Sequence, residues 1–333
     1  MMSGYAKPFD KTMKARTPQT GACSAQRLTL DGQDAIRLDN GLVQADVLPG
    51  LGGKIWNLLH LPSRTQWIWH NPQVPLKTVE PGYNYDDNWA GGWEELFPND
   101  AACSFQGRAL PDHGEWWSRA WDSEIIESQR GAAAVRLTLE GSALKTRCEK
   151  RIELTKGSSR LQIHYRIDNL ESESIYFLFK QHLALAVTPS CRLELPGGEA
   201  MPVDLDFSTR LGVGGPFPWP QGTDKNGRAV DLSVMPESRE KHQEFVYVEK
   251  LPQGWCGVRD AATQRSLRLE FSRETFPFTW LFTTYGGWRG LYTAVLEPCT
   301  NMPKDLNEAF RLGRCARLDS GQSLETTVGV TLS

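Results

Sequence analysis

Between Ser118 and Val187 apolar and polar side chains alternate at a period of two, segment after segment. Residues 135–139, 147–154, 161–167 and 175–187 follow this rule, with Gly- or Ser-containing turns between them. Successive side chains of a strand point to opposite faces, so each segment buries one face. No long helical periodicity interrupts the series, and residues 306–312 read as one short helix. Many short strands with turn signals between them predict a large antiparallel β-sandwich, an all-β fold.

The pattern begins near Arg27. Residues 1–26, rich in Lys, Thr, Ser and Gly, read as a loose leader. No linker and no internal repeat follows, so residues 27–333 read as one domain; all-β units reach such sizes undivided. Two stretches break the alternation. Residues 71–100 crowd Pro, Gly, Asn, Asp and aromatics together and read as a long loop over a sheet, and residues 196–243 read as an irregular insertion. Long loops in compact domains are more often functional than idle.

Charge and cysteine content exclude several functions. With 37 basic and 40 acidic residues the net charge is −3, which gives no footprint for nucleic acid. Seven cysteines, an odd number with no C-x-x-C pair, fit a reducing cytoplasm better than a disulfide framework or a zinc site. No run approaches the length of a transmembrane helix, and no signal-peptide core is seen, so no membrane partner is expected. No Walker A, G-x-G-x-x-G or G-x-S-x-G element is present, and no H-x-H, H-x-x-H or H-E-x-x-H spacing, so neither a cofactor nor a metal is expected.

Three ionisable residues stand out. Residues 291–296 are apolar on both faces, as in a strand deep within a sheet, and end on Glu297, with Pro298 expected to stop the pairing. A carboxylate closing a buried strand costs free energy unless something pairs or uses it. In residues 175–187, Lys180 and His182 share a face with Tyr176, Leu178, Ala184 and Ala186. The small alanines leave room for a ligand there, while Phe179, Gln181, Leu183 and Leu185 face the core. His113 lies in a loop before Gly114, where backbone can approach a ligand closely. Both histidines also have a plainer reading, an imidazole satisfied by a local hydrogen bond. His164 alternates onto a solvent face, and His60, His70 and His242 have no supporting context. The 12 tryptophans supply aromatic planes suited to the apolar faces of sugar rings, although most serve as packing in a large β protein.

These pieces, in this order, resemble the galactose mutarotase-like superfamily, the aldose 1-epimerases. The likeness runs from about Asn40 to the C-terminus. Residues 40–55 are similar to the opening strand pair with its Gly-Gly turn, and Phe97-Pro98-Asn99 to the Pro-Asn element before the site. His113-Gly114 is similar to the first His-Gly, His182 to the second histidine, Leu296-Glu297-Pro298 to the Glu-Pro near the C-terminus, and residues 318–323 to the turn before the last strand. The resemblance implies a β-supersandwich and a mutarotase that interconverts the anomers of a hexose or modified hexose. Glu297 would be the base on the anomeric hydroxyl, His182 the acid at the ring oxygen, and His113 a hydrogen bonder that orients the sugar. Asn99, Lys180, Trp93, Trp116 and Tyr285 complete the expected substrate-binding set, in a monomer or homodimer. Many family members carry a sugar-binding arginine after the Pro-Asn element; Asp100 stands there, and Lys180 is the candidate replacement cation. A carbohydrate-binding protein without turnover is the alternative on the same fold, and a lyase or hydrolase of oligosaccharides is a third reading.

Overall fold

The computed structural model describes residues 23–80, 82–126 and 131–333. Most of the leader thus lies outside the described residues, but its last three fall in the first strand, Ser24–Leu30, which pairs with Gln33–Asp39.

Two large antiparallel sheets form the body. The first runs, in spatial order, Ser24–Leu30, Gln33–Asp39, Val43–Leu48, Lys54–His60, Trp93–Leu96, Lys180–Leu185, Tyr292–Cys299, Phe278–Tyr285, His242–Glu249, Glu199–Pro202 and Phe217–Pro218, with Thr65–Gln66 beside the fourth. The second runs Cys191–Glu194, Trp255–Asp260, Ser266–Phe271, Ser323–Leu332, Arg160–Asn169, Thr146–Thr155, Ala132–Glu140 and Asp122–Ile126. Their facing sides share one apolar core, in which Ile36, Val47, Leu183 and Leu185 of the first sheet join the cluster holding Val135, Ile152, Ile163 and Val328 of the second. Each such side chain contributes about 1.5–3 kcal/mol by leaving water. This is the expected sandwich.

The other face of the first sheet carries a second, more aromatic cluster containing Trp69, Tyr85, Trp89, Trp117, Tyr247, Phe278 and Trp280. Loops cover it. The short helix Tyr85–Asn88 is started by Asn84, whose side-chain oxygen accepts from Asp87 N at 2.9 Å. The helix expected near residue 306 is Leu306–Arg311, capped by Asp305.

Three local expectations are corrected. Residues 175–187 are not one strand: Ile175–Phe177 pairs with Ala316–Leu318, the chain shifts at Leu178 and Phe179, and Lys180–Leu185 enters the first sheet. Pro298 does not end its strand, which continues to Cys299. Pairing with Lys180–Leu185 is interrupted between Lys180↔Cys299 and Leu183↔Leu296. Pro298 falls in that gap, where its missing N–H costs no ladder bond. Finally, the loop read over residues 71–100 contains a central strand, Trp93–Leu96, buried on both faces. Its two glutamates disguise it, because each is neutralised by a lysine distant in sequence, Glu94 by Lys54 and Glu95 by Lys150.

Candidate active site

The strand register sets the site. His182 pairs with Glu94 on one side, and Glu297 pairs with Trp280 on the strand beyond. Continuing the Lys180↔Cys299 and Leu183↔Leu296 register puts His182 opposite Glu297. Glu94, His182, Glu297 and Trp280 therefore form one row across the outer face of the first sheet. Lys180 lies one step along, on the same face. The period-two assignment of Lys180 and His182 away from the inter-sheet core holds, with Ala184 beside them in the outer cluster.

Lys180 Nζ is 2.6 Å from Glu297 Oε2 and 2.6 Å from Asp100 Oδ1, and it sits 4.2 Å from the centre of the Trp280 ring. All four residues are buried. Burial disfavours the lysine's charge, but the two carboxylates outweigh it and hold the ammonium above its usual range. Asp100 is likewise opposed by burial yet held below the usual carboxylate range by Lys180 and His113. Glu297 differs. Burial pushes its carboxyl up, and Lys180 only partly offsets this.

His113 reaches this cluster from the loop above. Its Nδ1 is 2.8 Å from Asp112 Oδ1 and its Nε2 is 3.9 Å from Asp100 Oδ1. Burial opposes its charge, but Asp100 and Asp112 prevail and its pKa lies above the ordinary imidazole value. The loop is held firmly. His113 has φ of 57°, an uncommon backbone state that histidine tolerates. Asp112 Oδ2 accepts from Tyr85 N at 2.8 Å, which ties the loop to the short helix. Glu115 accepts from the backbone N–H groups of Ser142 and Ala143. Gly114 is needed for packing against backbone: a Cβ there would lie 2.0 Å from Phe97 O, at φ of 70°. The close approach expected of the His-Gly pair is therefore to the Pro-Asn element.

His182 has the opposite electrostatics. Burial, then Lys180, His113 and Lys54, hold its pKa well below the ordinary value. Its ring meets the edges or faces of Tyr85 and Trp89 at centroid distances of 5.6 Å and 5.4 Å. Tyr85 also stacks on His113, 4.0 Å between centroids, so a single aromatic ring bridges the two histidines. Glu297, His182 and His113 thus belong to one contiguous cluster. The His113 side chain is its more open member, 20% exposed.

The rest of the expected binding set divides. Lys180 is in the cluster. Asn99 donates both amide hydrogens to backbone, to Ala101 O at 2.8 Å and Pro111 O at 2.7 Å, and so clamps the loops that bring Asp100 and His113 together. Trp93, Trp116 and Tyr285 point the other way, into the inter-sheet core. Trp93 Nε1 donates to Gln181 Oε1 at 2.9 Å, Trp116 stacks on Phe97 at 4.3 Å, and Tyr285 lies under Arg210. They cannot be reached from the His182 face. Aromatic residues that do lie on that face include Tyr85, Trp89, Trp280, Phe282 and Trp288. Trp280 and Phe282 were legible from period-two alternation with Glu297; the loop aromatics were not. A cavity of about 600 Å³ lined by Trp219, Trp255, Arg259 and Arg268 lies elsewhere and contains none of the candidate residues. Among the described residues, no three His, Cys, Asp or Glu side chains are grouped to hold a metal, and no helix is long and apolar enough to cross a membrane.

No protein-family model matches the chain, and no curated protein matches it in sequence. Solved structures do match. A galactose mutarotase-like protein from Clostridium acetobutylicum superposes with a TM-score of 0.65 at 14% identity, covering 94% of this chain and 99% of its own. A Klebsiella pneumoniae protein provisionally named an aldose 1-epimerase gives 0.71 at 12% identity, covering 90% and 79%. The Slr1438 protein of Synechocystis sp. PCC 6803 gives 0.65 at 18% identity, covering 96% and 98%. The chain has the galactose mutarotase-like β-sandwich fold, carried by a sequence far from these relatives.

Proposed function

We propose that the protein is an aldose mutarotase acting on a hexose or modified hexose. The observation that carries this reading is the row in which His182 and Glu297 oppose each other on adjacent strands, on the sheet face away from the core, with His113 over them. Glu297 takes the proton of the anomeric hydroxyl, the C1–O5 bond breaks, and O5 takes a proton from His182. The open aldehyde turns about C1–C2. It then closes on its other face as Glu297 returns its proton to O1 and His182 recovers the proton from O5. A raised carboxyl and a lowered imidazole bring the two groups' proton affinities towards each other, which suits a reaction that runs both ways. No redox or group transfer occurs, so the reading asks for no cofactor. The tryptophans on this face offer planes for the sugar's apolar side. All seven cysteines are free, which supports placement in a reducing compartment such as the cytoplasm.

Saturation-transfer NMR on a panel of free aldoses tests the reading. Wild-type protein should accelerate anomer exchange on at least one sugar, and Glu297→Gln should lower that rate by about 100-fold or more, the loss expected for a positioned acid–base group. Full activity in Glu297→Gln would overturn the assignment. Sugar binding by calorimetry with no exchange in the wild type would select the non-catalytic binding protein instead.

A further inference from the structure

We propose that Glu94 and Tyr85 form a hydrogen-bonded relay to His182, fixing its tautomer and sharing its charge when it is protonated; its purpose rests on the mutarotase reading. Tyr85 Oη is 2.5 Å from Glu94 Oε1 and 3.2 Å from His182 Nδ1, and all three residues are buried. The phenol has one proton to give. The shorter, charge-assisted contact to the carboxylate claims it. Burial and the neighbouring Glu94 push the Tyr85 pKa well up, so the phenol keeps that proton. Tyr85 Oη is then left as an acceptor facing His182 Nδ1, which must carry a hydrogen. Neutral His182 is therefore the Nδ1–H tautomer, and Nε2 is the nitrogen that exchanges a proton with the sugar.

The parts are locked from several sides. Glu94 is the register partner of His182, and its other oxygen, Oε2, lies 2.5 Å from Lys54 Nζ. The Tyr85 ring is held between His113, stacked on its face, and Trp117, packed edge-on at 5.0 Å. Lys180 on its own strand, and His113 and Lys54 from other elements, oppose the protonation of His182; the carboxyl groups that face it across the sheet are Glu94 and Glu297. Glu94 acts through the phenol, so both relay members are positioning residues for His182 and need not touch the sugar.

Nitrogen-15 NMR of the histidine rings in the full-length protein tests this without any substrate. Wild type should show His182 as the Nδ1–H tautomer. Tyr85→Phe keeps the stacked ring and removes only the oxygen; it should let the Nε2–H tautomer appear and lower the His182 titration midpoint by about half a unit. Glu94→Gln should lower it further, because it removes a negative charge as well. On a responsive sugar, the alkaline limb of anomer exchange should move down in the same order, since removing the relay makes the imidazolium harder to form. An Nε2–H tautomer in wild type, or a tautomer and midpoint unmoved by both substitutions, overturns the relay whatever the sugar rate. A relay that responds in a protein with no exchange activity overturns only the mutarotase reading.

Discussion

Replacing Lys180 with methionine removes the buried ammonium that two buried carboxylates share. Its Nζ lies 2.6 Å from an oxygen of each. Unit charges about 4 Å apart interact by about 4 kcal/mol at an effective dielectric near 20, or about 3 pKa units per pair. Protonation limits the damage, because a carboxyl deprived of its partner becomes neutral rather than remain charged in the interior. Breaking a buried pair costs about 3–5 kcal/mol in practice. At about 2 °C per kcal/mol for a chain of this size, the melting temperature should fall by roughly 6–10 °C. The sign with pH follows from linkage. Without Lys180 the folded-state pKa of Asp100 rises above its unfolded value, and that of Glu297, already raised by burial, rises further. The folded protein then holds protons that the unfolded chain releases, so its stability deficit grows as pH rises through that interval. Thermal melts of Lys180→Met and wild type at pH 8 and pH 4.5 check this: the full loss is expected at pH 8 and most of it should vanish at pH 4.5. An equal loss at both values, or none at pH 8, would refute the account of the triad as an ionic unit.

Two further outcomes separate the faces and the loops. Trp93→Phe should cost about 1 kcal/mol in chemical denaturation, by removing one of the two donors that face Gln181 Oε1 and leaving Tyr165 Oη, yet leave sugar affinity unchanged, whereas Trp89→Ala should weaken sugar binding measured by calorimetry. Gly114→Ala should destabilise by more than the roughly 1 kcal/mol of left-handed strain alone, because its Cβ would meet Phe97 O at 2.0 Å; melts measure the loss, and the His113 ring signals should shift with it.

What could be read from the sequence was whatever depends on period and order. Alternation placed Lys180 and His182 on one face and Leu183 and Leu185 on the other because a strand leaves no third choice. It also held the signal that Trp280 shares a face with Glu297, two strands being joined by a short connection. Trp93, Trp116 and Tyr285 went astray because an aromatic side chain looks the same in a core as in a groove, and only the sheet partner decides which it enters. Glu94 was hidden for a related reason. A four-residue strand with two adjacent glutamates has the composition of a loop until Lys54 and Lys150 arrive from elsewhere in the chain to neutralise it. Tyr85 lies in a loop-borne turn of helix whose position is set by Asp112 and His113, more than two dozen residues away.

The departure at Asp100 looks different once its partner is known. Where many members of the resembled family place an arginine after the Pro-Asn element, an acid here would by itself put a second carboxylate close to Glu297 and disfavour its ionisation. Lys180 reverses that effect. It arises from the strand that also bears His182, binds Asp100 and Glu297 at equal distance, and packs against the Trp280 ring. Here the loop carries the acid and the strand the cation, so a cation still stands beside the candidate base. A buried lysine between two carboxylates is less free to reach a substrate than a loop arginine would be. Its effect on catalysis should therefore come through the protonation of Glu297 more than through a sugar hydroxyl. In Lys180→Met the acid limb of anomer exchange should accordingly move to higher pH, with a smaller change in the Michaelis constant; a large rise in that constant with an unmoved limb would make Lys180 a sugar ligand instead.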